Sequence, residues 1–390
     1  MNILFLTHYT ALYGSNKSLL TLLLGLKLKG VAIIVIIPDE GPLAQELKRH
    51  NIAYRIINIR RWINKSDVSD HFFWSLYDRI WSLIVSCKRW LNNKKLLPEL
   101  KNIIDKFDIS LIYTNSAIVA LGATLAYKYN IPHIWHIREF GDKDFHLKWD
   151  FGLQFSKWYI NRSEILIANS IAVKNHFQIS FSKKMIHVIY NGIETEQQFE
   201  INFRKYIVKE KNEAPFIFTI VGSIQKAKGQ DIAIKAYGVV KKHYFNTQLI
   251  VAGTGETTHL EKLAREEGVF ESVIFTGHVN DPYEVYEKAH VVLMCSPNEA
   301  MGRVTLEAMA CKRAVIGYDN AGTTELIHDK KTGLLYKGGY KELAAKMILL
   351  IENDELRTEI SEAGFDNVRK NFTNEKYVNE IHELISAIRL

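Results

Sequence analysis

Cysteine is scarce in this chain. Three residues among 390 (Cys87, Cys295 and Cys311) form no C-x-x-C pair and leave an odd count. That excludes a disulfide framework and a cysteine-rich zinc site and suits a reducing compartment. Long apolar runs are also missing. No stretch approaches eighteen apolar residues, so no membrane-spanning helix is expected. The apolar start Ile3-Leu4-Phe5-Leu6 lacks a basic leader and runs into His8, Gly14 and Asn16, unlike a secretory signal; the expected setting is the cytoplasm. No short-period repeat and no low-complexity tract occurs, which leaves no reason to expect a solenoid.

What is present is the composition of a globular chain, 47% hydrophobic and 24% charged, long enough for two domains. Fifty Lys and Arg against 43 Asp and Glu give a formal charge of +7 and a pI near 9.0. Such a balance favours an anionic partner (nucleotide, nucleic acid or acidic lipid) or reflects only a lysine-rich surface.

Short β-rich runs alternate with longer helical ones. Strands are predicted at 3–6, 32–37, 53–57, 111–113, 133–136, 165–168 and 187–189. Helices are predicted at 15–29, with Ser15 or Asn16 as cap and Gly30 as stop, and near 43–50. The alternation pauses over the polar stretch 194–215, the best linker candidate. It restarts at 216–221 and continues through strands at 248–252, 273–275, 291–294 and 314–317. Alternation of this kind predicts an α/β fold with parallel sheets covered on both faces. Each half opens with a strand running into a glycine-bearing loop, Tyr13-Gly14-Ser15 and Val221-Gly222-Ser223. Ligands of such sheets bind beyond the carboxyl ends of the strands, so the expected site is a cleft between two facing halves. Closure over a ligand is expected for two domains joined by a small hinge.

The most specific motif is Ser296-Pro297-Asn298-Glu299-Ala300-Met301-Gly302-Arg303-Val304-Thr305-Leu306-Glu307-Ala308-Met309-Ala310. Two carboxylates stand eight positions apart, one in a loop and one inside a helix beginning near Gly302. The first amides of a helix have no intrahelical partner and attract anions. Two acids beside such an end can accept hydrogen bonds from hydroxyls while the helix end holds a phosphate. That combination suits a sugar nucleotide.

This block, with the following Ala314-Val315-Ile316-Gly317 and Ala321-Gly322-Thr323-Thr324-Glu325, resembles the E-x7-E region of the retaining glycosyltransferases of family 4, which have the two-domain GT-B fold. The resemblance extends across most of the chain and is strongest in residues 216–335. It implies that Glu307 binds the nucleotide ribose and that Glu299 lies near the transferred sugar. Gly302, Arg303 and Val304 would lie along the sugar and diphosphate. Lys228, in Lys226-Ala227-Lys228-Gly229, would neutralise the diphosphate. His136, at a strand end, would lie near the donor sugar, and Gly14 would approach the donor phosphates. Asn191-Gly192-Ile193 resembles the Asn-Gly turn that ends the first domain. There is one departure: family members usually carry arginine after the glycine of the second domain's first loop, where Gly222 is followed by Ser223. Serine offers one neutral donor in place of a guanidinium fork, and Lys226 or Arg303 would have to supply the charge.

Other candidates are less specific. His136 sits in His133-Ile134-Trp135-His136-Ile137-Arg138-Glu139. Arg138 and Glu139 could touch acceptor or donor, or form an ion pair on a loop. His133 and His136 lack a visible third metal ligand. Gly253-Thr254-Gly255-Glu256 lacks the third glycine of a dinucleotide fingerprint and reads as a turn into a helix. No D-x-D pair stands in a setting suited to Mg²⁺, so neither metal nor cofactor is expected. Residues 54–101 hold four of the seven tryptophans (Trp62, Trp74, Trp81 and Trp90) among Arg55, Arg60, Arg61, Lys65, Arg79, Lys88, Arg89, Lys94 and Lys95. Basic residues among amphipathic aromatics suit an acidic bilayer surface; alternatively the stripe is core of its own domain. Stacking on single-stranded nucleic acid would use the same mixture, but no nucleic-acid fold signature accompanies it.

The expectation is therefore a GT-B protein. Residues 1–198 form the acceptor-side domain, residues 199–372 form the donor domain, and 373–390 pack back on the first. Its function would be metal-independent, retaining transfer of a hexose or N-acetylhexosamine from a nucleotide sugar, UDP-linked, to a lipid-linked or polysaccharide acceptor, with peripheral membrane contact at the inner face. Alternatives are a UDP-sugar 2-epimerase and a non-catalytic nucleotide-sugar or lipid-binding protein, because fold alone does not decide function.

Overall fold

A computed structural model describes residues 1–65, 72–145, 147–180, 184–205 and 215–388. They form two compact units, Met1–Gly192 with Asn374–Leu390, and Ile193–Thr373.

Unit 1 is built on a seven-stranded parallel sheet. Its strands are β1 (Asn2–Leu6), β2 (Ala32–Ile37), β3 (Ala53–Ile56), β5 (Leu111–Thr114), β6 (His133–Ile137), β8 (Ile165–Ala168) and β9 (Ile186–Val188), in the order β3-β2-β1-β5-β6-β8-β9. Two short strands missed from sequence, β4 (Ile63–Lys65) and β7 (Leu147–Trp149), form a separate antiparallel pair. Successive residues of a strand face opposite sides, and β1 shows the result. Ile3 and Phe5 enter one core cluster, Leu4 and Leu6 another. Helix Gly14–Leu28 covers the first face with Leu19, Leu22, Leu23 and Leu26. Helix Leu97–Lys106 covers the other with Leu97, Leu100, Ile103 and Ile104.

The last helix, Asn374–Ser386, belongs to unit 1 and adds Tyr377, Val378, Ile381 and Ile385 to the first cluster. It crosses helix Gly14–Leu28 so closely that a Cβ at Gly25 would meet Val378 Cγ2 at 2.5 Å. Asn16 is not the cap predicted for that helix. It is buried inside the first turn, where its amide nitrogen donates to the carbonyls of Tyr9 and Ala11 (2.8 and 3.0 Å) and its oxygen accepts from Thr7 Oγ1 (2.9 Å).

The tryptophan-rich segment divides. Trp62 is only 4% exposed and packs against Trp135, Trp149 and Tyr159 at 5.3–5.8 Å between ring centroids. It is core, which corrects its assignment to a membrane-facing surface. The Trp74 side chain lies outside the described residues. Helix Phe72–Lys95 is anchored by polar groups. Ser86 Oγ donates to Asp150 Oδ1 (2.8 Å), and Arg89 grips both Asp150 oxygens (2.6 and 3.1 Å) and the Ile63 carbonyl (2.7 Å). Asn93 bonds both backbone groups of Arg60. Its apolar residues Ile80, Trp81, Leu83, Ile84 and Leu91 remain 50–56% exposed, the reverse of an ordinary surface helix.

Unit 2 carries a six-stranded parallel sheet of β10 (Phe216–Val221), β11 (Thr247–Ala252), β12 (Val273–Gly277), β13 (Val291–Met294), β14 (Ala314–Tyr318) and β15 (Leu334–Tyr336). The order is β12-β11-β10-β13-β14-β15. The order of strand addition reverses between β10 and β13, the switch point at which open α/β sheets bind ligands. The stretch 194–215, expected as linker, instead contains helix Glu196–Lys205. Its Phe199 is fully buried and packs on Phe365 at 5.9 Å. One aromatic anchor fixes a helix whose polar sequence shows no sustained apolar period. The chain passes between units at Gly192/Ile193 and Thr373/Asn374, ahead of residue 198 in the first case.

Candidate functional site

Unit 2 gathers its chemistry at the switch point. After β10 the chain turns at Gly222 (φ +152°), and after β11 at Gly253 (φ +151°). A Cβ at Gly253 would lie 1.9 Å from the Gly222 carbonyl oxygen, so the two loops meet backbone to backbone and only glycine fits. The first loop proceeds through a 3-10 turn, Lys226–Lys228, into helix Gln230–Lys241. Buried Gln230 donates to the Ser223 carbonyl (3.0 Å). From the turn, Lys228 Nζ donates to Glu299 Oε2 at 2.8 Å. The side chains are 32% and 17% exposed, a partly desolvated pair that still reaches solvent.

Glu299 lies in the loop after β13, held from three sides. Ser296 Oγ donates to the Ala227 carbonyl (2.8 Å), and Asn320 Nδ2 donates to the Pro297 carbonyl (2.7 Å). The Gly322 amide donates to the Glu299 carbonyl (2.9 Å). Gly302 then caps the eight-residue helix Arg303–Ala310. Glu307 is buried on this helix. Its Oε1 accepts from Arg303 Nε (3.2 Å) and its Oε2 from the Tyr286 hydroxyl (3.1 Å). Burial, then the Glu307 charge, pushes the Tyr286 phenol well above its usual range, so it stays a donor. Half-buried Val304 follows Arg303. Of the two cations considered as replacements for arginine at Ser223, Arg303 is engaged with Glu307 and Lys226 is exposed.

Two residues here were not found from sequence. Tyr283 donates its hydroxyl to Glu194 Oε1, and Tyr286 bonds Glu307. Their only signal is two tyrosines three apart on the short helix Tyr283–Tyr286.

Gly14, His136, Arg138 and Glu139 lie on unit 1. Gly14 is exposed and opens its helix. His136 is fully buried at the end of β6. Its Nδ1 lies 2.6 Å from the Tyr113 hydroxyl and 3.3 Å from Arg138 Nη2. A guanidinium only donates, so Nδ1 is the acceptor and the proton sits on Nε2. That Nε2 is buried without a hydrogen-bond partner. Burial and the Arg138 charge hold the imidazole well below 6.5, leaving a neutral ring with one unsatisfied N–H. His133 differs: Thr114 and Ser163 hydroxyls meet both its nitrogens (2.8 and 2.9 Å), as in an ordinary core histidine.

The structure places Arg138 inside unit 1 rather than on an open loop. It is 5% exposed, and Nε donates to Asn115 Oδ1 (2.6 Å), Nη1 to Asn191 Oδ1 and Nη2 to the Tyr377 hydroxyl (2.7 Å). It ties the end of β5, the Asn191 turn and the returning helix together. Glu139 does not pair with it; Glu139 Oε1 accepts from the Ala117 amide (2.9 Å) and from Ser116 Oγ.

Comparison with known proteins agrees with this architecture. The family model for glycosyl transferases group 1 matches residues 202–366, and that for glycosyltransferase family 4 matches residues 13–197. An uncharacterized glycosyltransferase of Methanocaldococcus jannaschii is 30% identical over 304 residues, covering 74% of this chain and 78% of its own. The capsular polysaccharide biosynthesis glycosyltransferase CapM of Staphylococcus aureus is 27% identical over 206 residues, 50% of this chain and 53% of its own. HepE of Anabaena, solved in complex with UDP, matches the fold over 100% of both chains with a TM-score of 0.79 at 20% identity. Two Rossmann-like parallel-sheet units, two family models that together span most of the chain, and a relative matched over most of its length lead to one conclusion: the chain belongs to the GT-B glycosyltransferases of the group 1 and family 4 type.

Proposed function

We propose that this protein transfers a hexose or N-acetylhexosamine from a UDP-sugar, with retention of configuration, to a lipid-linked or polysaccharide acceptor in cell-surface glycan synthesis. The observation that carries this reading is the Lys228–Glu299 pair beside the start of the Glu307 helix: one lysine cation, two carboxylates and helix-end amides at a switch point. The UDP bound by HepE and the capsular role in the name of CapM support the donor base and the pathway.

In this reading Glu307 accepts hydrogen bonds from the ribose hydroxyls and Glu299 from the sugar. The bond from the anomeric carbon to the diphosphate oxygen breaks while the acceptor oxygen bonds to that carbon from the same face. The acceptor proton passes to the departing phosphate. Lys228 and the first amides of helix Arg303–Ala310 stabilise the charge gathering on UDP, so the proposal assigns that task to the chain rather than to a metal ion.

Calorimetry with a panel of nucleotides and UDP-sugars tests the donor. UDP is expected to bind, and Glu307→Gln to weaken it roughly ten- to a hundredfold, since a charge-assisted hydrogen bond contributes about 1.5–3 kcal/mol. Equal UDP affinity in the variant would remove Glu307 from the ribose site. Conversion of a UDP-sugar in the absence of any acceptor would point to epimerisation instead.

For the acceptor side, we propose that the exposed apolar face of helix Phe72–Lys95 rests on an acidic bilayer. Its half-exposed Ile80, Leu83, Ile84 and Leu91 are accompanied by exposed Lys88, Lys94 and Lys95, and apolar residues flanked by lysines suit the headgroup layer. No helix among the described residues is long and apolar enough to cross a membrane. In liposome flotation at low salt, the protein should rise with anionic vesicles. Ile84→Glu with Leu91→Glu should lose most of that binding while tryptophan fluorescence remains native. Absence of wild-type flotation would end this part of the proposal.

A further inference from the structure

We propose that Glu194 and Tyr283 form a positioning pair that couples the carboxylate of Glu307 to the segment on which the chain enters unit 2. The inference rests on the reading of Glu307 as a nucleotide ligand and extends it to residues outside the E-x7-E block.

The entry segment meets the exit segment in a minimal ladder, one isolated β-bridge with one adjoining hydrogen bond. The Ile193 amide donates to the Phe372 carbonyl at 3.0 Å, and Glu194 bridges Thr373 in parallel. These are the first and last residues of unit 2, next to both chain crossings. The Glu194 side chain leaves this ladder and accepts the Tyr283 hydroxyl. Tyr283 stands one helical turn before Tyr286, their rings edge to face at 6.0 Å, and the Tyr286 hydroxyl is on Glu307 Oε2 at 3.1 Å. A continuous path thus runs from the crossing segment to the candidate ribose acid, through one hydrogen bond, one aromatic contact and a second hydrogen bond.

The charges along the path are unbalanced. Burial raises the Glu194 carboxyl above its usual range. The Tyr283 bond and Arg303 hold it down, while Glu307 and Asp281 push it up. Glu307 and Glu194 thus share the neighbourhood of one arginine, a costly arrangement for stability alone and a frequent mark of a functional site. Ribose hydroxyls donating to Glu307 spread its negative charge and relieve the repulsion on Glu194. The Tyr283–Glu194 bond then strengthens, and the ladder that carries Glu194 is held more firmly. Linkage is reciprocal, so loosening the ladder weakens nucleotide binding by the same factor.

Hydrogen exchange of the whole protein, read by mass spectrometry with and without saturating UDP, tests this. In the wild type, peptides spanning 192–195 and 371–374 should exchange roughly fivefold more slowly with UDP, at the low end of ordinary coupling energies. Tyr283→Phe, which keeps the ring and removes the donor, should abolish that protection and raise the UDP Kd by about the same factor. Glu194→Ala should behave like it. Glu194→Gln keeps an oxygen that accepts from Tyr283 but removes the charge that Glu307 repels, so it should keep the segment folded while losing most of the UDP-dependent protection; a melting curve for each variant establishes that it is folded. The proposal is overturned if UDP binds the wild type without slowing these amides, or if the slowing survives unchanged in Tyr283→Phe. If UDP does not bind the wild type at all, the nucleotide reading itself fails and the coupling falls with it.

Discussion

Replacing Lys228 by alanine is expected to lower kcat by about a hundred- to a thousandfold, the range seen when one preorganised donor to a developing anion is removed. The variant has two consequences. The Glu299 carboxylate, whose side chain is 17% exposed, loses the ammonium 2.8 Å away, and in the proposed mechanism the departing diphosphate loses a cation. Binding of UDP should fall less than kcat, because the charge Lys228 meets grows only as the sugar bond breaks. Lysine suits the position for a structural reason. The lysine stands on a tight 3-10 turn, and in the proposed mechanism its compact ammonium turns from Glu299 to the diphosphate. Lys228→Arg should recover little, because the broad planar guanidinium is not a substitute for a point charge. Steady-state kinetics of Lys228→Ala, Glu299→Gln and the double variant complete the test. If Lys228 served only to hold Glu299, both single variants and the double would share one deficit. Turnover of Lys228→Ala within tenfold of the wild type would remove the lysine from the chemistry.

The second large effect is on stability in acid. Unfolded, each imidazole takes up a proton near pH 6.5. Folded, His133 is pushed to about 3 by burial, and burial with Arg138 holds His136 well below 6.5. Their neutral forms are thus favoured in the native state. The stability they contribute is complete above pH 6.5 and is lost as pH falls toward 3, at about 1.4 kcal/mol per pH unit for each ring. From pH 7 to pH 5 His133 alone should cost unit 1 roughly 2 kcal/mol, and His136 adds to it in the same direction. His8, lowered to about 3 by burial and Arg61, acts in the same direction. In unit 2 the raised Glu194 carboxyl acts oppositely: its contribution is present below the usual carboxyl range and is lost as pH rises through its folded value. His290, lowered to about 4 chiefly by burial, is one such ring in unit 2 against three in unit 1, so unit 1 should yield first on acidification. All seven tryptophans precede residue 193, so tryptophan fluorescence in urea reports unit 1 alone. Its midpoint should fall clearly between pH 7 and pH 5, and His133→Gln should remove about one proton from the dependence. Equal midpoints at the two pH values would contradict the assignment of these rings as buried and neutral.

Much of the fold is legible in the chain because its signals are local. Runs such as Ala32–Ile37 and Val291–Met294 are apolar on successive residues, as strands buried on both faces must be. The glycine turns after the first strand of unit 2 and the spacing of Glu299, Gly302 and Glu307 within one loop and one helix are local too. Misreadings arose where a single distant contact overrides local character. The polar stretch 194–215 looks like linker, yet Phe199 finds Phe365 and makes helix Glu196–Lys205 part of unit 2. Trp62 and Trp81 look alike in sequence; the first is enclosed by Trp135, Trp149 and Tyr159, the second is 56% exposed. Arg138 follows a strand end, where exposure is expected, but Tyr377 from the end of the chain closes over it.

By itself, then, the sequence determined the alternation of strands and helices, the two parallel-sheet units and the loop-and-helix frame that carries Glu299 and Glu307, because periodicity, glycine turns and short spacings act within a few residues. Tertiary structure alone decided which groups meet. Lys228 finds Glu299 across 71 positions, Tyr286 finds Glu307 across 21, and Glu194 finds Tyr283 across 89. Such pairings depend on strand order and on how loops close at the sheet switch point, and the energy of a hydrogen bond or a buried ring leaves no mark on the residues between its partners.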